Sequence, residues 1–140
     1  AFLIQVEALV GHKKLFPGRR AALGVDPGRL QVLLAVLERA LGISLESTDV
    51  FLSLVGGIKV RDPGIDLALV MALASVIGET GIPTDFAYLG EVSLSGDVLA
   101  PRDLELRIRQ AKALGFSKIH YAREGSWRVK DFVSQLKGGI

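Results

Sequence analysis

Apolar and polar positions along the chain fall into short blocks whose period changes several times. Residues 2–10 (FLIQVEALV) form an apolar run with aromatic and β-branched members, which predicts a strand. A loop over 11–18 and a second strand over 20–23 follow. From Asp26-Pro27 the period becomes helical. Leu30, Leu33, Leu34, Leu37 and Leu41 recur three or four apart, Asp26 is a good N-cap, and Pro27 suits the first helical position. Gly42 supplies the stop. Val32, Ala35 and Val36 add a second apolar stripe, so this helix is expected to be covered on more than one side.

A strong strand is predicted over 50–55. The Asp-Pro-Gly signal then recurs at 62–64 and opens a second helix, running to about Gly78. Its core, LALVMALASVI, is apolar nearly all round, so it should be the most buried helix. Strands over 88–94 and 98–99 flank Ser95-Gly96-Asp97, a turn signal. A third helix is expected over 102–114 with Gly115 as its stop, then a short strand over 118–121. Val129, Phe132, Val133 and Leu136 predict a final amphipathic helix, with Ser126 as its cap. Strands and helices mix without long linkers or a clear repeat. The expectation is one α/β (α+β) domain over 1–140, a mixed sheet with packed helices.

Composition narrows the classes. At 140 residues and 49% hydrophobic, the chain can bury a sizeable core, and disorder is not expected. No apolar run approaches the ~20 residues of a membrane helix, so no membrane partner is expected. The chain starts with Ala inside a strand-like run and shows no signal peptide pattern, which suggests a piece of a longer protein. With no cysteine, disulfides, thiolate zinc sites and cysteine nucleophiles are excluded, and a reducing cytoplasm is compatible. A net charge of +2 is too mild to imply nucleic acid by itself, so the placement of the charges matters more.

The candidate chemistry is sparse. His12 and His120 stand in no metal-ligand spacing and are read as structural. Gly56-Gly57 lacks the lysine and hydroxyl of a P-loop, and no Gly-x-Gly-x-x-Gly opens a helix, so ATP hydrolysis by this chain alone is not expected. Ser75 lies inside the buried helix, where a backbone carbonyl would satisfy it. Ser93 and Ser95 belong to a hairpin, and no Gly-x-Ser-x-Gly elbow exists. The basic segments are more suggestive. Lys13, Lys14, Arg19 and Arg20 occur with no acid among them in GHKKLFPGRR, Arg29 follows the first helix start, and Lys59 and Arg61 precede the second. Singly they read as solvated cations; together they would suit a phosphate-facing surface. Asp103 with Arg107 and Glu105 with Arg109 lie four apart, a spacing that stabilises a helix.

Two long segments carry a resemblance. LVGGIKVRDPGIDLALVMALAS and YLGEVSLSGDVLAPRDLELRIRQAKALGF resemble the proteolytic domain of Lon-type ATP-dependent proteases. More closely, with FPGRRAALGVDPGRLQVLLAVLERALG, they resemble the C-terminal Lon-like domain of the bacterial RadA/Sms family of DNA repair proteins, from Phe2 to about Tyr121. The first strand, QVEALV, exchanges its polar residues relative to the family habit, and Leu99 replaces a common arginine. Lon-type proteases carry a catalytic serine near the start of the buried helix and a lysine on the following helix. The resemblance places these seats at Asp66 and Arg107. A guanidinium stays protonated and is no general base, and a carboxylate lacks the hydroxyl. The expectation is a degenerate, non-enzymatic dyad in which Asp66 and Arg107 approach one another as a structural ion pair.

What the resemblance implies is a scaffold separated from its motor. The family's zinc finger and RecA-like ATPase domain, which bind Zn, ATP and Mg, are absent from this chain, so no cofactor is expected in it. The whole protein would be a cytoplasmic DNA-dependent ATP hydrolase promoting branch migration in DNA recombination and DNA damage repair. The Lon-like part would form a homo-oligomeric, hexameric ring and contact single-stranded or branched DNA. The DNA-binding candidates are Arg19, Arg20, Arg29, Lys59, Arg61 and, less centrally, Arg102. Rival readings are an assembly module without DNA contact and a residual serine hydrolase.

Overall fold

The computed structural model describes residues 3–12 and 17–136, with the side chain of His12 outside that description. Strands and helices alternate: β1 (Val6–His12), β2 (Arg20–Leu23), α1 (Pro27–Leu41), β3 (Thr48–Leu54), a 3-10 turn (Pro63–Ile65) and α2 (Asp66–Ile77). The second half holds β4 (Phe86–Tyr88), β5 (Glu91–Val92), β6 (Asp97–Leu99), α3 (Leu104–Ala113), β7 (Lys118–His120), β8 (Trp127–Arg128) and α4 (Val129–Val133). The mixed α/β class expected from the pattern is what the chain adopts.

Strand β3 is the spine of the first sheet, pairing antiparallel with β1 and parallel with β2. Its alternation sends Val50, Leu52 and Leu54 into the core and leaves Phe51 and Ser53 on the other face. Helix α2 covers the inner face. Leu67, Leu69, Val70, Met71, Leu73 and Ala74 are all fully buried, as its all-round apolar pattern requires. Leu30, Leu33 and Leu37 of α1 and Phe132 of α4 complete the same core. A smaller cluster of Leu89, Ala111 and Ile119 lies beneath α3.

Helix α1 begins and ends as its signals predict. The Asp26 side chain accepts from the Arg29 backbone N–H, Pro27 opens the first turn, and Gly42 closes it in the left-handed region at φ 68°. Several boundaries differ. Strand β1 begins at Val6 rather than at residue 2. Gly78 closes α2 with a right-handed φ of −83°, so its lack of a Cβ is not what ends that helix. Ser126 does not cap the last helix. The Arg128 N–H at its start donates to the Asp131 carboxylate at 2.8 Å, and the α-helix itself stops at Val133.

The larger departure concerns the sheet. The single mixed sheet is three small ones among the described residues: β1-β3-β2, β4-β7 and β5-β6-β8. The strand expected over 88–94 is split because Gly90 leaves the ladder. Its N–H donates to the Gly64 carbonyl and its own carbonyl accepts from the Leu67 N–H, both at 3.0 Å. A Cβ on Gly90 would press on Val98 Cγ1 at 3.0 Å and lie 3.4 Å from Leu67 Cβ. Glycine thus lets the backbone come close enough to clamp the start of α2.

Candidate functional site

The two Asp-Pro-Gly signals converge on the start of α2. Asp62 accepts from the Gly64 N–H at 2.8 Å, which fixes the turn leading into the helix. Asp66 then occupies the first position of α2, where a carboxylate suits the helix dipole. Its side chain is only 2% exposed. Arg29, in the first turn of α1, reaches across to it: Nε donates to Oδ1 at 3.0 Å and Nη2 donates to Oδ2. The Val92 N–H supplies a third donor at 3.1 Å. Arg29 Nη2 also donates to the Val92 carbonyl at 3.1 Å, so one guanidinium ties α1, α2 and β5 together.

Arg107, on α3, is engaged elsewhere. Its Nη2 donates to Asp62 Oδ2 at 2.5 Å and its Nε donates to the Arg102 carbonyl at 2.8 Å. The expected Asp66–Arg107 pair is therefore replaced by two separate pairs, Asp66 with Arg29 and Asp62 with Arg107. The residue lying directly against the Arg107 guanidinium is Gly64, two positions before Asp66. Nor do the helix pairs form. Arg107 turns away from Asp103 toward Asp62, and Asp103 itself is left-handed at φ 56°. Glu105 and Arg109 make no ion pair among the described residues.

These residues border a cleft of about 890 Å³ between the β2–α1 link and the segment 59–63. Leu69, Asp26, Arg29, Asp62 and Asp66 are among its lining residues. Lys59 and Arg61 also line it, are exposed, and have no ion-pair partner among the described residues. Three cations (Arg29, Lys59 and Arg61) and three carboxylates (Asp26, Asp62 and Asp66) line the cleft; Asp66 is taken by Arg29 and Asp62 by Arg107, which leaves Lys59 and Arg61 as the cations of the lining not held by these pairs.

The six predicted DNA-contacting cations thus separate. Lys59 and Arg61 converge at the cleft. Arg29 lines it too and is bound to Asp66. Arg20 is likewise bound inward, donating to the carbonyls of Leu45 at 2.6 Å, Arg19 at 3.2 Å and Thr48. Arg19 pairs with Asp49 at 3.1 Å and lies over Phe51, yet its side chain stays 65% exposed. Arg102 is exposed, beside the Arg107 pair. Lys13 and Lys14 lie outside the described residues.

The serines have structural partners. Ser75 Oγ donates to the Ala72 carbonyl at 2.8 Å. Ser93 and Ser95 hydroxyls are 3.0 Å apart, and Ser95 also donates to Asp97 in the turn. No cluster of metal-ligand residues occurs among the described residues. His120 stacks on Tyr88 at 4.9 Å and tilts against Phe86 at 4.7 Å. Burial, then the charges of Arg123 and Lys118, hold its pKa below the usual histidine value. Burial pushes the Tyr88 hydroxyl up to about 12. No helix among the described residues is long and apolar enough to cross a membrane.

No family model matches the chain. It is similar to proteins named "DNA repair protein RadA". That of Rickettsia felis is 39% identical over 117 residues, 84% of this chain and 26% of that protein. That of Aquifex aeolicus is 41% identical over 83% of this chain and 26% of its own length. That of Rickettsia bellii is 35% identical over 134 residues, 96% of this chain and 30% of its own length. The chain therefore spans between a quarter and a third of the curated relatives it matches.

Proposed function

We propose that this chain, which belongs to the RadA family of DNA repair proteins and spans about a quarter of their length, is a non-proteolytic scaffold that contacts DNA. The observation that carries the reading is the pair Lys59 and Arg61, exposed in the lining of the cleft and without an ion-pair partner among the described residues. Phosphodiester backbones are held by such cations without base-reading geometry, and repetition of the site around a homo-oligomeric ring, hexameric in our reading, multiplies a weak local field. Arg19 and Arg102, exposed outside the cleft lining, are secondary phosphate contacts. Arg20 and Arg29 hold the fold that presents them.

The absence of a peptidase is supported by the start of α2. Arg107 faces a glycine, Asp66 is bound by Arg29, Ser75 is tied to a backbone carbonyl, and Ser93 and Ser95 bond one another and Asp97 within an exposed turn, with no histidine or lysine among these partners. In the longer protein, a zinc finger and an ATPase domain using ATP and Mg would supply the motor, and branch migration in recombinational repair is the activity we assign to the whole. The relatives' name supports the repair role within that assignment.

Single-stranded oligonucleotide binding by this chain, followed by fluorescence anisotropy across a salt series, tests the reading. The Lys59→Ala/Arg61→Ala variant should bind more weakly and lower the slope of log affinity against log salt by roughly 1.4, two phosphate contacts' worth. Unchanged affinity and slope would reject the cleft as the DNA contact and favour an assembly module. Hydrolysis of a casein substrate by this chain would reject the non-proteolytic reading independently.

A further inference from the structure

A second hollow, of about 170 Å³, lies away from the residues described above, where the end of α1 meets the β5–β6 turn and the start of α4. Val36 and Ala40 of α1 and Val129 of α4 contribute aliphatic surface to its lining, beside polar surface from Ser95 and Gly96. Three cations, Arg39, Arg128 and Lys130, line it as well. Beside them stands Leu94, 73% exposed, the most exposed of the large hydrophobic side chains among the described residues. Arg128 is held in place by Asp97 at 3.0 Å and the Ser95 carbonyl at 2.5 Å. Arg39 and Lys130 have no ion-pair partner among the described residues.

We propose that this hollow is a docking site for an acidic segment of a partner protein, one that inserts a single large apolar side chain while its carboxylates meet Arg39 and Lys130. Charge complementarity selects the occupant. Two cations without ion-pair partners among the described residues line a hollow that also holds aliphatic side chains and the exposed Leu94, so a ligand that brings anions and an apolar group side by side fits it. The hollow is sized for one large side chain rather than for a drug-sized ligand. Nucleic acid fits less well. Base binding to single strands uses aromatic platforms, and no aromatic among the described residues lines this hollow, while an exposed leucine gains nothing from a phosphodiester backbone. The site shares no lining residue with the Lys59–Arg61 cleft, so the two surfaces can be occupied together.

The test uses this chain and a fluorescein-labelled ten-residue peptide of Asp, Glu and Gly ending in a single Phe. Binding is read by anisotropy against the same peptide with Ala in place of Phe, and against a labelled dT oligonucleotide. The Phe peptide should bind, and the Ala peptide should bind at least tenfold more weakly. Arg39→Glu/Lys130→Glu should weaken the Phe peptide tenfold or more while leaving oligonucleotide binding within twofold. Leu94→Asp, at an exposed position that cannot disturb the core, should weaken it too. No binding of the Phe peptide at millimolar concentration overturns the proposal, as does equal binding to both variants or equal binding of both peptides. Loss of oligonucleotide binding in the charge-reversed protein with the peptide unaffected would reassign the surface to DNA.

Discussion

Arg29→Met isolates the ion pair that anchors the start of α2. The substitution keeps an unbranched apolar stem of similar length but removes every guanidinium donor. In the native structure the Asp66 carboxylate accepts from Arg29 Nε, Arg29 Nη2 and the Val92 N–H. After the change only the Val92 N–H remains, on a side chain that is 2% exposed. Removing one partner of a buried pair costs about 3–5 kcal/mol, since the remaining charge cannot reach water. A domain of this size is stable by roughly 5–15 kcal/mol, so the loss is a large fraction of the whole. At about 3 °C per kcal/mol, Tm should fall by on the order of 10 °C. Urea denaturation followed by circular dichroism measures the same loss, with protein concentration held fixed because assembly would add to apparent stability. Arg29→Met/Asp66→Asn should recover most of it, since asparagine is neutral and still accepts from the Val92 N–H. The exposed Arg128–Asp97 pair is the internal control, with Arg128→Met costing about 1 kcal/mol or less. If Arg29→Met cost no more than Arg128→Met, or if the double variant were as unstable as the single, the assignment of Arg29 to structure would be wrong.

Four further outcomes follow from the structure. Gly64→Ala places a Cβ against Arg107 Nη1 and 2.9 Å from Pro101 Cβ, so it should destabilise by about 1–3 kcal/mol, and less in an Arg107→Ala background, as urea midpoints will register. Because the His120 pKa is lowered on folding, the unfolded chain takes up that proton first. Stability contributed by neutral His120 is present above about 6.5 and is lost as pH falls through the folded value, a slope that His120→Gln should flatten in a Tm-versus-pH series. Tyr88 runs the other way: its pKa is raised to about 12, so stability should decline as pH rises from about 10 toward 12. Leu37→Ala, at a fully buried position, should cost about 2–5 kcal/mol, while Leu99→Ala, at 52% exposure, should stay within about 0.5 kcal/mol on the same assay.

The local signals were legible because they are local. Asp26-Pro27 and Asp62-Pro63 each start helical structure through a side chain reaching two or three residues ahead, and periodicity located α1 and the buried α2. Sheet membership was not legible in the same way. The run through residues 88–94 reads as one strand, and only a backbone bond from Gly90 to Gly64, 26 positions earlier, divides it between two sheets. The ion pairs were less legible still. Arg29 and Asp66 are 37 positions apart, and Arg107 and Asp62 are 45 apart. Every carboxylate near the start of α2 looks equally available in a linear reading, and the choice depends on which guanidinium the fold delivers. That choice bears on the chemistry. If Arg107 occupies the lysine seat of a Lon-type dyad, the residue opposite it is Gly64 rather than Asp66. A carboxylate is a poor nucleophile, whereas glycine offers no side-chain atom at all, and its missing Cβ is the space into which the Arg107 guanidinium fits.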